Sequence, residues 1–141
     1  MEKTRVLFLC TGNSARSQMG EAFLRSIAGD KYEAHSAGLE PTEIHPFTKE
    51  VMAEVGIDIG QQYSKDLDVY MGKIHFGYLI TVCSEAEKRC PTAFPGMGIR
   101  LHWDIEDPAK FIGTEEEKLI KFREIRDIIK KKVQDLVSSQ I

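Results

Sequence analysis

The 141-residue sequence lacks long apolar runs, a strong net charge and any repeat or low-complexity tract. Its longest apolar runs, such as Val6 to Leu9, are far too short to span a bilayer, and the N-terminus lacks the longer apolar stretch and cleavage site of a signal peptide. The net charge of −3, from 19 basic and 22 acidic side chains, does not suggest a surface that binds nucleic acid or membranes. We therefore expect one cytoplasmic domain over residues 1–141, long enough to bury a sizeable core.

Cysteine is also scarce, since the chain has only Cys10, Cys83 and Cys90. An odd number of cysteines without an export signal argues against a structural disulfide framework and favours catalytic or redox thiols. Zinc is the competing interpretation. However, six residues separate Cys83 from Cys90, where zinc motifs usually have about two to four, and no paired histidine motif follows.

Apolar periodicity predicts strands that alternate with helices. Four strands are indicated, at residues 5–9, 32–36 (followed by a turn at Ala37-Gly38), 76–82 and, more weakly, 99–103. Helices are indicated over residues 17–28, from Pro46 to about Val55, and in a long C-terminal segment where Thr114 and Glu117 fit a capping box. This alternation predicts an α/β fold with a parallel sheet covered by helices on both faces.

The segment between the first strand and the first helix has the character of an anion-binding loop. It reads Cys10-Thr11-Gly12-Asn13-Ser14-Ala15-Arg16-Ser17. Because N–H groups and the dipole of a helix N-terminus favour an oxyanion and a thiolate, we expect a lowered pKa for Cys10. Gly12 and Asn13 suit positive-φ positions, and Arg16 offers a bidentate fork for oxyanion oxygens. Ser17 can donate a hydrogen bond to the Cys10 sulfur.

A core cysteine followed by a Gly-Asn turn and a helix cap is the simpler explanation of the same residues. The position of the loop favours a functional site instead. Ligands of open parallel sheets bind beyond the carboxyl ends of strands, and Cys10 stands at such an end.

Residues 6–19 resemble the active-site loop that low-molecular-weight tyrosine phosphatases share with thioredoxin-coupled arsenate reductases. The resemblance extends to residues 32–38, 82–91 and 102–109, and it implies the four-stranded fold of that family. Ala15 departs from the reductases, which often have a further cysteine there. Two features nevertheless favour a reductase: Cys83 and Cys90 match its two-cysteine segment, and Ala109 stands where phosphatases have an aromatic residue.

The resemblance implies a relay of three thiols. Cys10 would attack arsenate, held by Arg16 and the loop, and Asp107 would protonate the departing oxygen. Cys83 would attack Cys10 and release arsenite, and Cys90 would then move the disulfide to Cys83–Cys90, which thioredoxin would reduce. One dithiol-to-disulfide conversion supplies the two electrons that this reduction needs. A solvated acidic loop remains the alternative explanation of Asp107 and its acidic neighbours.

The same resemblance implies a possible potassium ion near the loop. Its ligands would be Asn13, Glu21 and Ser36, and a fourth, acidic ligand would fall near Asp66, with Lys65 beside it. The simpler interpretation is that Asn13 shapes the loop and that Glu21 is an ordinary acid of the first helix. No other cofactor is expected.

Three other functions remain open. A phosphotyrosine phosphatase would have the same fold without using a second thiol, and weak phosphatase activity is compatible with a reductase. A non-enzymatic dithiol protein that binds arsenite or senses oxidants would leave Arg16 and Asp107 without a role. A phosphocysteine carrier would explain Cys10 but not Cys83 with Cys90.

The spacing of the second and third cysteines also predicts a rearrangement. Ser84 and Glu87 have capping-box separation, which favours a short helix between Cys83 and Cys90. On a helix the two cysteines would lie about 10 Å apart along the axis, whereas a disulfide tolerates Cα atoms only to about 7 Å. We therefore expect this segment to unwind on oxidation.

Overall fold

The computed structural model describes residues 3–70, 73–83 and 97–139, and these contain four strands and three α-helices. In chain order they are β1 (Thr4–Cys10), α1 (Arg16–Ala28), β2 (Tyr32–Gly38), α2 (Pro46–Glu54), β3 (Phe76–Thr81), β4 (Met97–His102) and α3 (Glu115–Ser138). The strands form one parallel sheet in the order β2-β1-β3-β4. The predicted α/β fold, a four-stranded parallel sheet flanked by helices, is confirmed.

β1 is a central strand of this sheet, which explains its continuous apolar run. Val6, Leu7, Phe8 and Leu9 are completely buried, as expected of a strand with neighbours on both edges and cover on both faces. Its register aligns Cys10 with Gly38 of β2 and Leu9 with Thr81 of β3. The carboxyl ends of the three strands therefore lie side by side at one edge of the sheet.

β2 continues further than predicted, because residues 37 and 38 extend the strand rather than turn. Gly38 pairs with Cys10 and also forms an isolated bridge with Asp66. A Cβ at this position would lie 2.7 Å from the carbonyl oxygen of Thr11, closer than real contacts allow. The glycine is therefore explained by close packing against the loop after β1, not by a turn.

α3 is the long C-terminal helix that the sequence predicts. Thr114 and Glu117 make both hydrogen bonds of the capping box. The apolar stripe of this helix is buried at Phe122, Ile125, Ile129, Val133 and Leu136. α3 contacts both α1 and α2 and so packs against the other two α-helices. Among the described residues, no helix combines the length and the apolar character needed to cross a membrane.

Candidate active site

Residues 11–15 connect β1 to α1, and Cys10 is the last residue of β1. Ala15 precedes α1 and offers no side-chain cap to the backbone N–H groups of the first turn, which leaves them for an anion. An open cavity of about 360 Å³ lies over this loop. Its other lining residues are Glu40, Thr42, Asp107, Ala109 and Lys110. The predicted oxyanion loop thus stands beside a cavity at the carboxyl edge of the sheet.

The sulfur of Cys10 lies in a set of short polar contacts. Ser17 Oγ is 2.8 Å from it, and the backbone N–H of Asn13 donates to it at 3.1 Å. The Asn13 side-chain amide donates to Ser17 Oγ at 2.7 Å. Because Ser17 Oγ already accepts this bond, its own hydrogen is available to the Cys10 sulfur. The predicted contact between Ser17 and the sulfur is confirmed.

Burial raises the pKa of the Cys10 thiol above its ordinary value, because Cys10 is only 3% exposed. The Ser17 hydroxyl, the Arg16 guanidinium and the backbone N–H of Asn13 act in the opposite direction. The prediction of a lowered pKa is therefore wrong in direction. The cost of burying a thiolate outweighs these stabilising contacts, although the contacts remain available to the thiolate when it forms.

Asn13 has a φ of 51°, and it is the only non-glycine residue with positive φ in the described part of the chain. Three side-chain and backbone groups hold it there. Its carbonyl oxygen accepts from Gln18 Nε2 at 3.0 Å and from Ser64 Oγ at 2.8 Å, and its Oδ1 accepts from the Lys65 N–H at 2.9 Å. The prediction of positive φ is confirmed for Asn13 and wrong for Gly12, because the single left-handed residue is enough to turn the loop.

Gln18, Ser64 and Lys65 support the loop, although no motif in the sequence marks them for this role. Ser64 and Lys65 lie 51 and 52 residues from Asn13, and no local pattern predicts such a contact. Gln18 is completely buried, and its Nε2 also donates to the carbonyl oxygen of Tyr63 at 3.1 Å. A polar amide at an interior helix position is the only signal that the sequence offers for this clamp.

Cys83 follows β3 and lies close to the same loop. Its sulfur is 3.4 Å from Thr11 Oγ1, and the residue is 6% exposed. The N–H of Val82 donates to the carbonyl oxygen of Leu9 at 2.9 Å, which fixes the end of β3 against the end of β1. Cys10 and Cys83 are both free thiols. The structure therefore brings two of the three cysteines of the predicted relay to one loop. Cys90 and the predicted helix at residues 84–89 lie outside the described residues.

Arg16 is buried behind the loop, where it contacts three separate segments. Its Nη1 donates to the carbonyl oxygen of Ile105 at 2.8 Å and of Val82 at 3.3 Å, and its Nη2 lies 3.4 Å from Asp107 Oδ2. These contacts tie the first turn of α1 to the end of β3 and to the loop after β4. Arg16 thus holds the elements of the site together, and its predicted role in binding an oxyanion stays a prediction.

Asp107 differs from its acidic neighbours in its surroundings. Its side chain is 24% exposed, pairs with Arg16 and accepts from the Ala109 N–H at 3.0 Å. Asp104 is exposed, and Glu106 is exposed and pairs with Lys121. The interpretation as a solvated acidic loop therefore suits Asp104 and Glu106 but not Asp107, which lines the cavity.

The four residues of the implied potassium site already make hydrogen bonds or ion pairs within the chain. Glu21 accepts from Ser36 Oγ at 2.5 Å and lies 2.5 Å from Arg25 Nη2, and the Lys65 ammonium is 3.8 Å away. Asn13 Oδ1 accepts from the Lys65 N–H. The Asp66 carboxylate accepts from the N–H of Asp68 at 2.8 Å and so caps its own turn.

These residues do not fit a potassium ion. A cation needs several free oxygens that converge, whereas here the carboxylate of Glu21 faces two positive side chains and the oxygens of Asn13 and Asp66 accept backbone hydrogen bonds. The implied potassium site is therefore corrected: the positive charge beside Glu21 comes from the chain itself.

Comparison with known proteins agrees with this geometry. Residues 5–141 match the family model described as low molecular weight phosphotyrosine protein phosphatase. An arsenate reductase of Halalkalibacterium halodurans is 41% identical over 134 residues, which is 95% of each chain.

Solved structures give the same result. The structure of an arsenate reductase in the phosphate binding state aligns with a TM-score of 0.81 at 30% identity, over 96% of this chain and 98% of that one. A thioredoxin-dependent arsenate reductase of Corynebacterium glutamicum aligns with a TM-score of 0.73 at 31% identity, over 97% of this chain and 61% of that one. The chain therefore belongs to the low molecular weight phosphotyrosine protein phosphatase family and, within it, to the group of the arsenate reductases.

Proposed function

We propose that this protein reduces arsenate to arsenite with electrons from its own thiols, and that thioredoxin restores those thiols. The observation that carries the proposal is the 3.4 Å contact between Thr11 Oγ1 and Cys83 Sγ. Thr11 directly follows Cys10, so two thiols lie beside one anion-binding loop. Ester hydrolysis needs one nucleophile there, whereas a two-electron reduction needs a second thiol.

The first step is attack of the Cys10 thiolate on the arsenic of arsenate bound over the loop. The N–H groups at the start of α1 and the Arg16 guanidinium offset the negative charge of the oxyanion. Asp107, as a protonated carboxylic acid, donates a proton to one arsenate hydroxyl group, which leaves as water, and an S–As bond replaces that As–OH bond. The Ser17 hydroxyl and the Asn13 N–H stabilise the thiolate that attacks, against the cost of its burial.

The second step is the reduction itself. The Cys83 thiolate attacks Cys10 Sγ, an S–S bond forms and the S–As electron pair stays on arsenic, which changes from As(V) to As(III) and leaves as arsenite. Cys90 then attacks Cys83, Cys10 leaves as a thiolate and the disulfide becomes Cys83–Cys90. A thioredoxin dithiol reduces this disulfide by the same exchange chemistry. The electrons come from thiols throughout, so the reaction needs no metal.

The cavity also bears on the phosphatase alternative. Ala109 lines it directly after the Asp107-Pro108 pair and is exposed. The methyl group of Ala109 offers little area for stacking a phosphotyrosine ring, whereas a small tetrahedral oxyanion needs no aromatic side chain beside it. The loop still suits phosphate, so slow hydrolysis of small phosphate esters is compatible with the proposal.

A thiol titration separates reductase from phosphatase. We expect the fully reduced protein, without thioredoxin, to change from three titratable thiols to one after arsenate is added, because one turnover converts two thiols to a disulfide. Phosphate serves as the matched control and should leave all three. An arsenite-binding dithiol protein would instead lose no thiols with arsenate, and that outcome would overturn the proposal.

Asp107→Asn tests the general acid. We expect arsenate reduction to slow by about 10²-fold, because an amide cannot protonate the leaving oxygen. The fold and phosphate binding should persist, since Asn can still accept the Ala109 N–H that organises this turn. Single-turnover kinetics measure the chemical step, with Asp104→Asn as the exposed matched control. A larger loss in Asp104→Asn would show that the proton comes from the other carboxylate.

A further inference from the structure

Lys65 is a buried lysine at the back of the active-site loop. Its side chain is 6% exposed and that of Glu21 is 7% exposed, with 3.8 Å between the ammonium and Glu21 Oε1. A buried ammonium and a buried carboxylate are each costly to desolvate, so each one stabilises the other's charge. Burial lowers the pKa of the Lys65 ammonium, and the Glu21 carboxylate opposes this and favours the charged form.

The surroundings of the ammonium are those of a bound monovalent cation. Lys65 Nζ donates to the carbonyl oxygen of Tyr63 at 2.8 Å and lies 4.5 Å from the centroid of the Tyr63 ring. A carbonyl oxygen, a carboxylate oxygen and an aromatic face are all groups that stabilise a positive charge. The ammonium thus has the charge and the partners that a metal ion at this position would have.

The backbone of Lys65 connects this charge to the nucleophile. Its N–H donates to Asn13 Oδ1, which leaves the amide group Nδ2 of Asn13 directed at Ser17 Oγ. Ser17 Oγ in turn is 2.8 Å from Cys10 Sγ. The carbonyl oxygen of Lys65 also accepts from the Gly38 N–H at 2.7 Å, so residue 65 is fixed on both sides.

We propose that Lys65 is a built-in cation that takes the place of a potassium ion and, as a positioning residue, holds the Asn13–Ser17–Cys10 hydrogen-bond chain in its working orientation. The ammonium anchors the segment of residues 63–65 to α1 through Glu21, and that segment anchors Asn13. The consequence is an active site whose reactivity is independent of potassium. The link to reduction rests on the proposed function, whereas the effect on Cys10 does not.

The test measures the alkylation rate of Cys10 by iodoacetamide, located by peptide mass mapping, in KCl and in choline chloride at equal ionic strength. The wild-type protein should react equally in both salts. Lys65→Ala opens space beside Glu21, so we expect about a tenfold slower reaction in choline chloride and recovery in KCl. Lys130→Ala, at an exposed lysine of α3, is the matched control and should behave as wild type.

Lys65→Met separates the effect of the charge from the effect of side-chain packing. It also replaces the alanine variant in the test if that variant does not fold. It retains a long stem without charge and leaves little space for an ion, so we expect slow alkylation in both salts. Wild-type rates in either Lys65 variant in choline chloride, or potassium stimulation of the wild-type protein, would overturn the proposal. Arsenate turnover measured in parallel distinguishes the two proposals: its absence in the wild type with the predicted salt pattern refutes only the reductase.

Discussion

Cys10→Ser should lower arsenate reduction by at least about 10³-fold, because a serine hydroxyl at neutral pH cannot replace the attacking thiolate. Of the two thiols that the structure describes, Cys10 is the one at the end of β1, and its sulfur accepts from the Asn13 N–H of the loop at 3.1 Å. The change replaces one heavy atom, the sulfur, with an oxygen. A hydroxyl can make the same hydrogen bonds in this pocket. We therefore expect the fold and phosphate binding to persist, as measured by circular dichroism and calorimetric titration.

The pH dependence of the same thiol gives a second measurement on the wild-type protein. Because burial raises the pKa of Cys10 from its ordinary value of 9.0, the thiolate fraction at neutral pH is small and grows as the pH increases. The rate of Cys10 alkylation by iodoacetamide should therefore still increase with pH at pH 9.0.

The outcome that would contradict the site assignment concerns the serine variant. Near-normal arsenate turnover by Cys10→Ser would show that the nucleophile lies elsewhere and would overturn the whole site.

Cys83→Ser and Cys90→Ser should both stop sustained reduction, but at different points of the cycle. Without Cys83, the Cys10–arsenate adduct has no thiol to attack it, so we expect no arsenite at all beyond background. Without Cys90, one turnover should release one arsenite per chain and leave Cys10 bonded to Cys83. The 3.4 Å contact of Cys83 with Thr11 supports this order, since Cys83 is the thiol beside the loop.

Mass mapping of disulfides after a single addition of arsenate distinguishes the two variants. Cys90→Ser should give one disulfide-linked pair of peptides, containing Cys10 and Cys83, and Cys83→Ser should give none that contain Cys10. The wild-type protein is the control and should give a Cys83–Cys90 pair. If Cys90→Ser sustains thioredoxin-dependent turnover, the third thiol has no place in the relay.

The parts of the fold that depend on local patterns could be predicted from the sequence. The apolar run before Cys10 indicates a buried strand, and the Thr114–Glu117 pair indicates the start of α3, because each pattern acts over a few residues. The left-handed conformation of Asn13 is similarly local. The extent of β2 could not be predicted in this way, because Gly38 is explained by its close packing against the loop after β1, which no local pattern shows.

The parts of the site that depend on long-range packing could not be predicted. The clamp on Asn13 comes from Ser64 and Lys65, which are close in space only because of the fold. The pKa of Cys10 has the opposite direction to the prediction for a related reason. A helix N-terminus is visible in the sequence, whereas the degree of burial of the sulfur depends on everything that packs over it. The predicted unwinding of the segment between Cys83 and Cys90 stays a prediction, since residues 84–96 lie outside the described part of the structure.

The pairing of β1 with β3 also bears on the second thiol. The two strands end level with each other, so a residue that follows β3 arrives beside the loop that follows β1. On the proposed mechanism, a cysteine placed just after a strand end therefore supplies the second thiol without a new element or a rearranged sheet. The length of β3 matters for the same reason, because adding or deleting one residue would shift position 83 away from its place beside Thr11.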